Sequence, residues 1–170
     1  MPVVPQRQAV TFLLVGLIWT IAACPLLQTE NYEKLAQYLH SPEGFAAWQS
    51  KEDQLAKAAE AAATEYRRTH TMEFLQVYEK AIREYLDHGF MLFQAFKDSP
   101  QDLPQGFRRV LEDRTMELMD VADGYLKEGS IPVAVGISRE VIMKYNVGIM
   151  DHAQHRAEGI LLKYRYQRNY

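Results

Sequence analysis

From residue 29 to the C-terminus the apolar side chains recur at three- and four-residue intervals, with no convincing run of β-branched residues alternating with polar ones. That spacing gathers apolar groups on one side of an α-helix, whereas a half-buried strand requires a period of two. The expected fold class is therefore all-α, a small helical bundle. With 170 residues, 48% of them hydrophobic, there is ample material for one packed core.

Capping residues and prolines set the element boundaries. A first short helix is expected over residues 30–39. Ser41-Pro42-Glu43-Gly44 then supplies a capping hydroxyl, a proline suited to the first helical position and an acid for the first turn, so a second helix starts there. It carries Phe45, Trp48, Leu55 and an alanine-rich stretch at 56–63 toward Arg68, and the small side chains permit a flat contact with a neighbouring helix. Thr71 can cap a third helix. Its Phe74, Leu75, Tyr78, Ile82, Tyr85, Phe90, Leu92, Phe93 and Phe96 fall mainly on one side, which makes it the expected core element. Pro100 and Pro104 cannot continue it and mark a linker at 99–104. Further helices are expected over 105–127, 132–145 and 149–166. The organisation that follows is an N-terminal segment at 1–24, a helical subdomain at 25–98, the linker, and a second helical subdomain at 105–170.

Charge and cysteine usage narrow the function classes. The 19 basic and 22 acidic residues nearly cancel, unlike the basic stripe of a nucleic-acid binder, so no nucleic-acid partner is expected. A single cysteine excludes an intramolecular disulfide and a zinc cluster of cysteines. Its position is informative. Arg7 precedes an uncharged run over 9–24 that ends in Ala22, Ala23 and Cys24, the layout of a secretory signal.

The residues Ile21-Ala22-Ala23-Cys24 resemble the lipobox of bacterial lipoproteins. The resemblance implies cleavage before Cys24, acylation of its thiol and stable attachment to a membrane through the acyl chains. A second reading rests on Pro25, Leu26 and Leu27, which extend the apolar run. Counted over 9–27 it is long enough, at roughly 1.5 Å per residue, to span a hydrocarbon core as an uncleaved signal anchor. Either way the body is expected to face the periplasm of a bacterial envelope. The third reading is a buried core cysteine in a cytosolic protein.

In the C-terminal half, Leu118, Ala122, Tyr125, Gly129 and Ala134 stand where a tetratricopeptide repeat places a large apolar residue, a small crossing residue, an aromatic, a turn glycine and a second small residue. The segment resembles a degenerate copy of that repeat. Val141 and Asn146 depart from the pattern, and no second copy lies upstream at a period of about 34 residues. The resemblance implies one helical hairpin with a following helix, and a partner-binding scaffold in which Tyr125 and Ala134 belong to the binding element.

Few residues suggest chemistry. Phosphate loops, His-Glu-x-x-His and nucleophile elbows are missing from the sequence, so no catalytic residue and no cofactor is expected. On the last helix His152, His155 and Glu158 follow one another at three-residue spacing, which lets a helix present metal ligands on one face. The competing reading is a solvated polar face. A bundle metal site would need Glu-x-x-His partners on other helices, and Glu84 with His88 is the nearest match, at a spacing of four. Lys163, Arg165, Tyr166 and Arg168 mix cations with aromatics, a pattern that can dock on a partner, on anionic lipid or on nucleic acid. Cations at a helix C-terminus also complement its dipole.

The expectation drawn from these features is a non-catalytic, membrane-anchored accessory protein that binds protein partners in an envelope assembly such as secretion, pilus, conjugation or outer-membrane machinery. Two alternatives stand beside it: a structural subunit of a membrane complex held by an uncleaved helix, and a metal-binding helical protein.

Overall fold

The computed structural model describes residues 25–145 and 151–166; Cys24 and the apolar run before it lie outside the described residues. All regular structure among the described residues is helical. Helix α1 spans Pro25–Leu39, α2 Pro42–Thr69 and α3 Met72–Ala95. A single 3₁₀ turn, Pro100–Asp102, leads to α4, Phe107–Lys127; α5, Ile131–Met143, and α6, Asp151–Tyr166, complete the order.

Local chemistry explains the boundaries. Ser41 sits in extended backbone before α2, and its Oγ accepts from the Gly44 N–H at 3.0 Å while Pro42 opens the first turn. Arg67 and Arg68 occupy the last turn of α2, where cations suit the negative end of the helix dipole. Thr71 takes the N-cap position of α3, yet its hydroxyl makes no capping bond. Helix α1 begins five residues ahead of the expected start, because a proline is tolerated in a first turn and Leu26 and Leu27 favour helix.

Helix α3 is the central element and packs on α1, α2 and α4. Leu75, Tyr78, Ile82, Leu86 and Leu92 are buried along it, with Phe90 and Phe93 half-buried. Met91, between Phe90 and Leu92, is exposed. The alanine face of α2 does what small residues permit: Ala59, Ala62 and Ala63 are buried where α2 lies along α3.

Helices α4 and α5 form a hairpin whose turn is a Schellman motif. The Ser130 N–H donates to the Tyr125 carbonyl at 2.8 Å and the Gly129 N–H to that of Leu126 at 3.1 Å, with Gly129 at φ 75°. A left-handed residue at that point explains the glycine. Helix α6 then lies against both α4 and α5, burying Ala153, Ala157 and Ile160. Residues on either side of 99–104 enter one hydrophobic core, and α3 and α4 pack directly on each other. No helix among the described residues is long and apolar enough to cross a membrane.

Candidate functional site

The apolar stripe of α4 runs Phe107, Leu111, Arg114, Leu118, Val121, Tyr125, each buried. An arginine thus occupies a core position, only 2% exposed. Its Cζ lies 3.6 Å from the centroid of the Tyr85 ring, a close cation–π contact. Nη1 donates to the Tyr85 carbonyl at 3.2 Å, and Nη2 donates to Glu52 Oε1 of α2. Gly89 makes the seat: a Cβ there would fall 2.2 Å from Arg114 Nη1.

His88 closes this cluster from α3. Its ring stacks on Trp48 with centroids 5.0 Å apart and planes 11° from parallel. Nε2 lies 3.2 Å from the Trp48 carbonyl and 3.8 Å from Glu52 Oε2. Burial pushes the Arg114 guanidinium down to about 10, so it stays charged at neutral pH. Burial also lowers the His88 imidazole, with Lys51 acting in the same direction and the contact to the Trp48 carbonyl against it. Trp48 Nε1, Glu52 Oε2 and Arg114 Nε are buried without a hydrogen bond to the protein. Charges that face one another in a core serve as a clamp on α2, α3 and α4. Removing one partner strands the other, a loss of about 3–5 kcal/mol.

A second polar network joins α3 to the hairpin. Arg83 bonds Glu79 at 2.9 Å and reaches Glu140 of α5, and the Tyr125 hydroxyl donates to Glu79 at 2.6 Å. Tyr145, wholly buried, donates to Asp87 at 2.5 Å, and Lys144 Nζ lies 2.8 Å from the same carboxylate oxygen. Burial first, then these acceptor carboxylates, push Tyr125 and Tyr145 upward, so both donate as neutral phenols.

The third feature is open to solvent. A cleft of about 290 Å³ lies between the C-terminal turn of α2, Tyr78 of α3 and the C-terminal half of α4. The rings of Tyr66 and Tyr78 stack there, 6.4 Å between centroids and 27° between planes. The Tyr78 hydroxyl donates to Glu117 Oε2 at 3.3 Å. Burial pushes both Tyr66 and Tyr78 upward; after burial, Glu128 raises the first and Glu117 and Asp120 the second. From α6, Arg156 Nη2 reaches the cleft's rim, 2.8 Å from Asp120 and 2.6 Å from Asp123.

The residues singled out in the sequence fall in scattered places. Tyr125 and Ala134 are taken up inside the bundle, so a partner would meet their neighbours instead. Lys163 is exposed, with Nζ 5.5 Å from the Tyr164 ring centroid. The side chains of Arg165 and Tyr166 and the whole of Arg168 lie outside the described residues, as does Cys24. The metal candidates are not gathered about one point. His152 Nδ1 sits 3.0 Å from Glu112 of α4, and Glu158 accepts from Gln154 at 2.9 Å; among the described residues no group of three or more His, Cys, Asp or Glu is disposed to hold a metal. Glu84 and His88 point to different partners, Lys80 at 4.0 Å and Trp48.

Motif reading passed over the clamp, although one signal for it is in the sequence: Arg114 interrupts an apolar stripe of alternating four- and three-residue steps. Nothing comparable announces the cleft, whose lining comes from three helices. The fold and its contacts define an all-α bundle. No family model, curated protein or solved structure matches this chain.

Proposed function

We propose that this chain is a non-catalytic accessory protein of a bacterial envelope, held at a membrane by its N-terminal segment with its helical body in the periplasm, and that it works by binding protein partners. The observation that carries the reading is the α4–α5 hairpin with α6 laid against both of its helices. Ala122 and Ala134 are fully buried and Gly129 takes the turn, as in the helical repeats that the sequence resembles. Such an element serves as a scaffold for polypeptide contacts. Exposed apolar side chains on its last two helices add support: Val133 at 41%, Met143 at 84% and Leu162 at 56%.

The test has two parts on the membrane-extracted protein. Intact mass, read beside Cys24→Ser, is expected to show loss of residues 1–23 and added acyl mass. A full-length, unmodified chain would replace the lipid with a transmembrane anchor and favour a subunit of a membrane complex. Photo-crosslinking from positions 133, 143 and 162 in living cells is expected to give discrete protein adducts. Crosslinks no richer than those from exposed positions on α1 would overturn the scaffold reading.

A further inference from the structure

Resting on that reading, we infer that the outer face of α5 pairs with the same face of a second copy of this chain, the two helices lying antiparallel. The inner face of α5 is taken up by the bundle, where Ala134, Ile137, Ser138 and Val141 are buried. The opposite side carries Pro132, Gly136, Arg139 and Met143 at steps of four, three and four residues, all exposed. Met143 is 84% exposed, beyond any other large apolar side chain among the described residues.

Gly136 supplies an independent argument. It sits inside α5 without positive φ, a place where glycine is the poorest helix former after proline. Gly89 and Gly124 make room for neighbours within the chain, since a Cβ there would strike Arg114 or Tyr66 and Leu75. At Gly136 a Cβ would meet nothing within 4 Å, so the room it leaves faces outward. The order of the four exposed residues is its own complement when reversed. Antiparallel helices that cross between 136 and 139 bring Met143 of each chain against Pro132 of the other. The stem of Arg139 then lies over Gly136 of the second copy, with its guanidinium in water at the rim and the two guanidiniums on opposite edges. Large side chains thus meet small or flat ones, and the contact closes on itself as a two-fold pair. A parallel pair would set Arg139 against Arg139, a like-charge contact. One 13-residue helix on another buries less than the roughly 1,200 Å² of a stable interface in solution. The pairing therefore needs chains concentrated together, as on a shared membrane.

The test uses two full-length variants, Pro132→Cys and Met143→Cys, co-expressed in bacteria and oxidised with copper phenanthroline in isolated membranes, with Cys24 as a common background. Disulfide-linked dimer from the mixed pair is expected at about five times the yield of either variant alone. Gly136→Leu in both chains should cut that yield about fivefold, because it fills the crossing point. It should not lower the urea midpoint of the detergent-extracted chain, since the added atoms lie outside the monomer and leucine favours helix. Gly159→Leu, equally open on α6, should leave the yield within about twofold. If Gly136→Leu does lower the midpoint, Gly136→Ala carries the test with a smaller drop in yield. Dimer mainly from Met143→Cys alone would mean a parallel pair and overturn the arrangement. A yield indifferent to Gly136→Leu would mean chance collision in the membrane and overturn the interface. Photo-adducts from 133 and 143 that contain only other proteins, with no mixed-pair disulfide, would remove this inference and leave the scaffold reading standing; loss of both removes both.

Discussion

His88 shows how a residue with no motif acquires a physical role. An exposed imidazole titrates near about 6.5, whereas burial, with Lys51 acting in the same direction, holds this one lower. Between those two values the unfolded chain binds more protons than the folded one, so acidification favours unfolding. The stabilisation is present above about 6.5 and is lost as pH falls through the folded value. Glu117 acts in the opposite sense, because burial raises its carboxyl and protonation relieves that cost. His88→Gln separates the two effects. The parent's urea midpoint is expected to fall between pH 7 and pH 5 relative to that of His88→Gln, and parallel curves would contradict this account. At this scale the sequence was only partly legible. Arg114 could be seen as a charge on an apolar stripe, but Glu52, Tyr85 and His88 belong to other helices, and only packing brings them to it. The three-residue spacing of His152, His155 and Glu158 was visible too. Spacing on one helix says nothing about the partners that α4 and Gln154 supply.

At the scale of elements, most of the structure could be read from the residues, since helices are specified by local periodicity and caps. Ser41 and Pro42 marked the start of α2, and Gly129 the turn between α4 and α5. The misplaced ends are those that local signals do not fix. Gln105 is a good helix former, yet α4 starts only at Phe107, behind Gly106 in left-handed backbone. Leu26 and Leu27 continue the apolar run before them, so periodicity alone does not show that α1 already begins at Pro25. Gly129→Ala tests the turn. A Cβ in the left-handed region should cost about 1 kcal/mol, read as a lower urea midpoint with an unchanged slope. Unaltered stability would mean that the turn relaxes without loss.

For the molecule as a whole, composition and period gave the all-α class. Mutual packing across 99–104 was beyond them, because two prolines in a short segment look the same whether the flanking helices touch or not. Here α3 and α4 touch, and one core includes residues from both sides. Residues 25–170, expressed without the N-terminal segment, should therefore give a strongly helical circular dichroism spectrum and a single unfolding transition. Trp48, the sole tryptophan in that span, reports the clamp by fluorescence while dichroism reports every helix. Coincident curves are expected; separated ones would mean that the two halves unfold independently.

The apolar stripe of α4 repeats every seven residues, so sliding the helix by one repeat, about 10.5 Å, would place large residues over large residues along most of its length. Hydrophobicity alone barely distinguishes such alignments. Arg114 does, since after a slide it would face neither the notch at Gly89, nor the Tyr85 ring, nor the Glu52 carboxylate. The alignment of the bundle's central helices is thus selected by one buried charge that tolerates a single address, while the apolar seam supplies the adhesion.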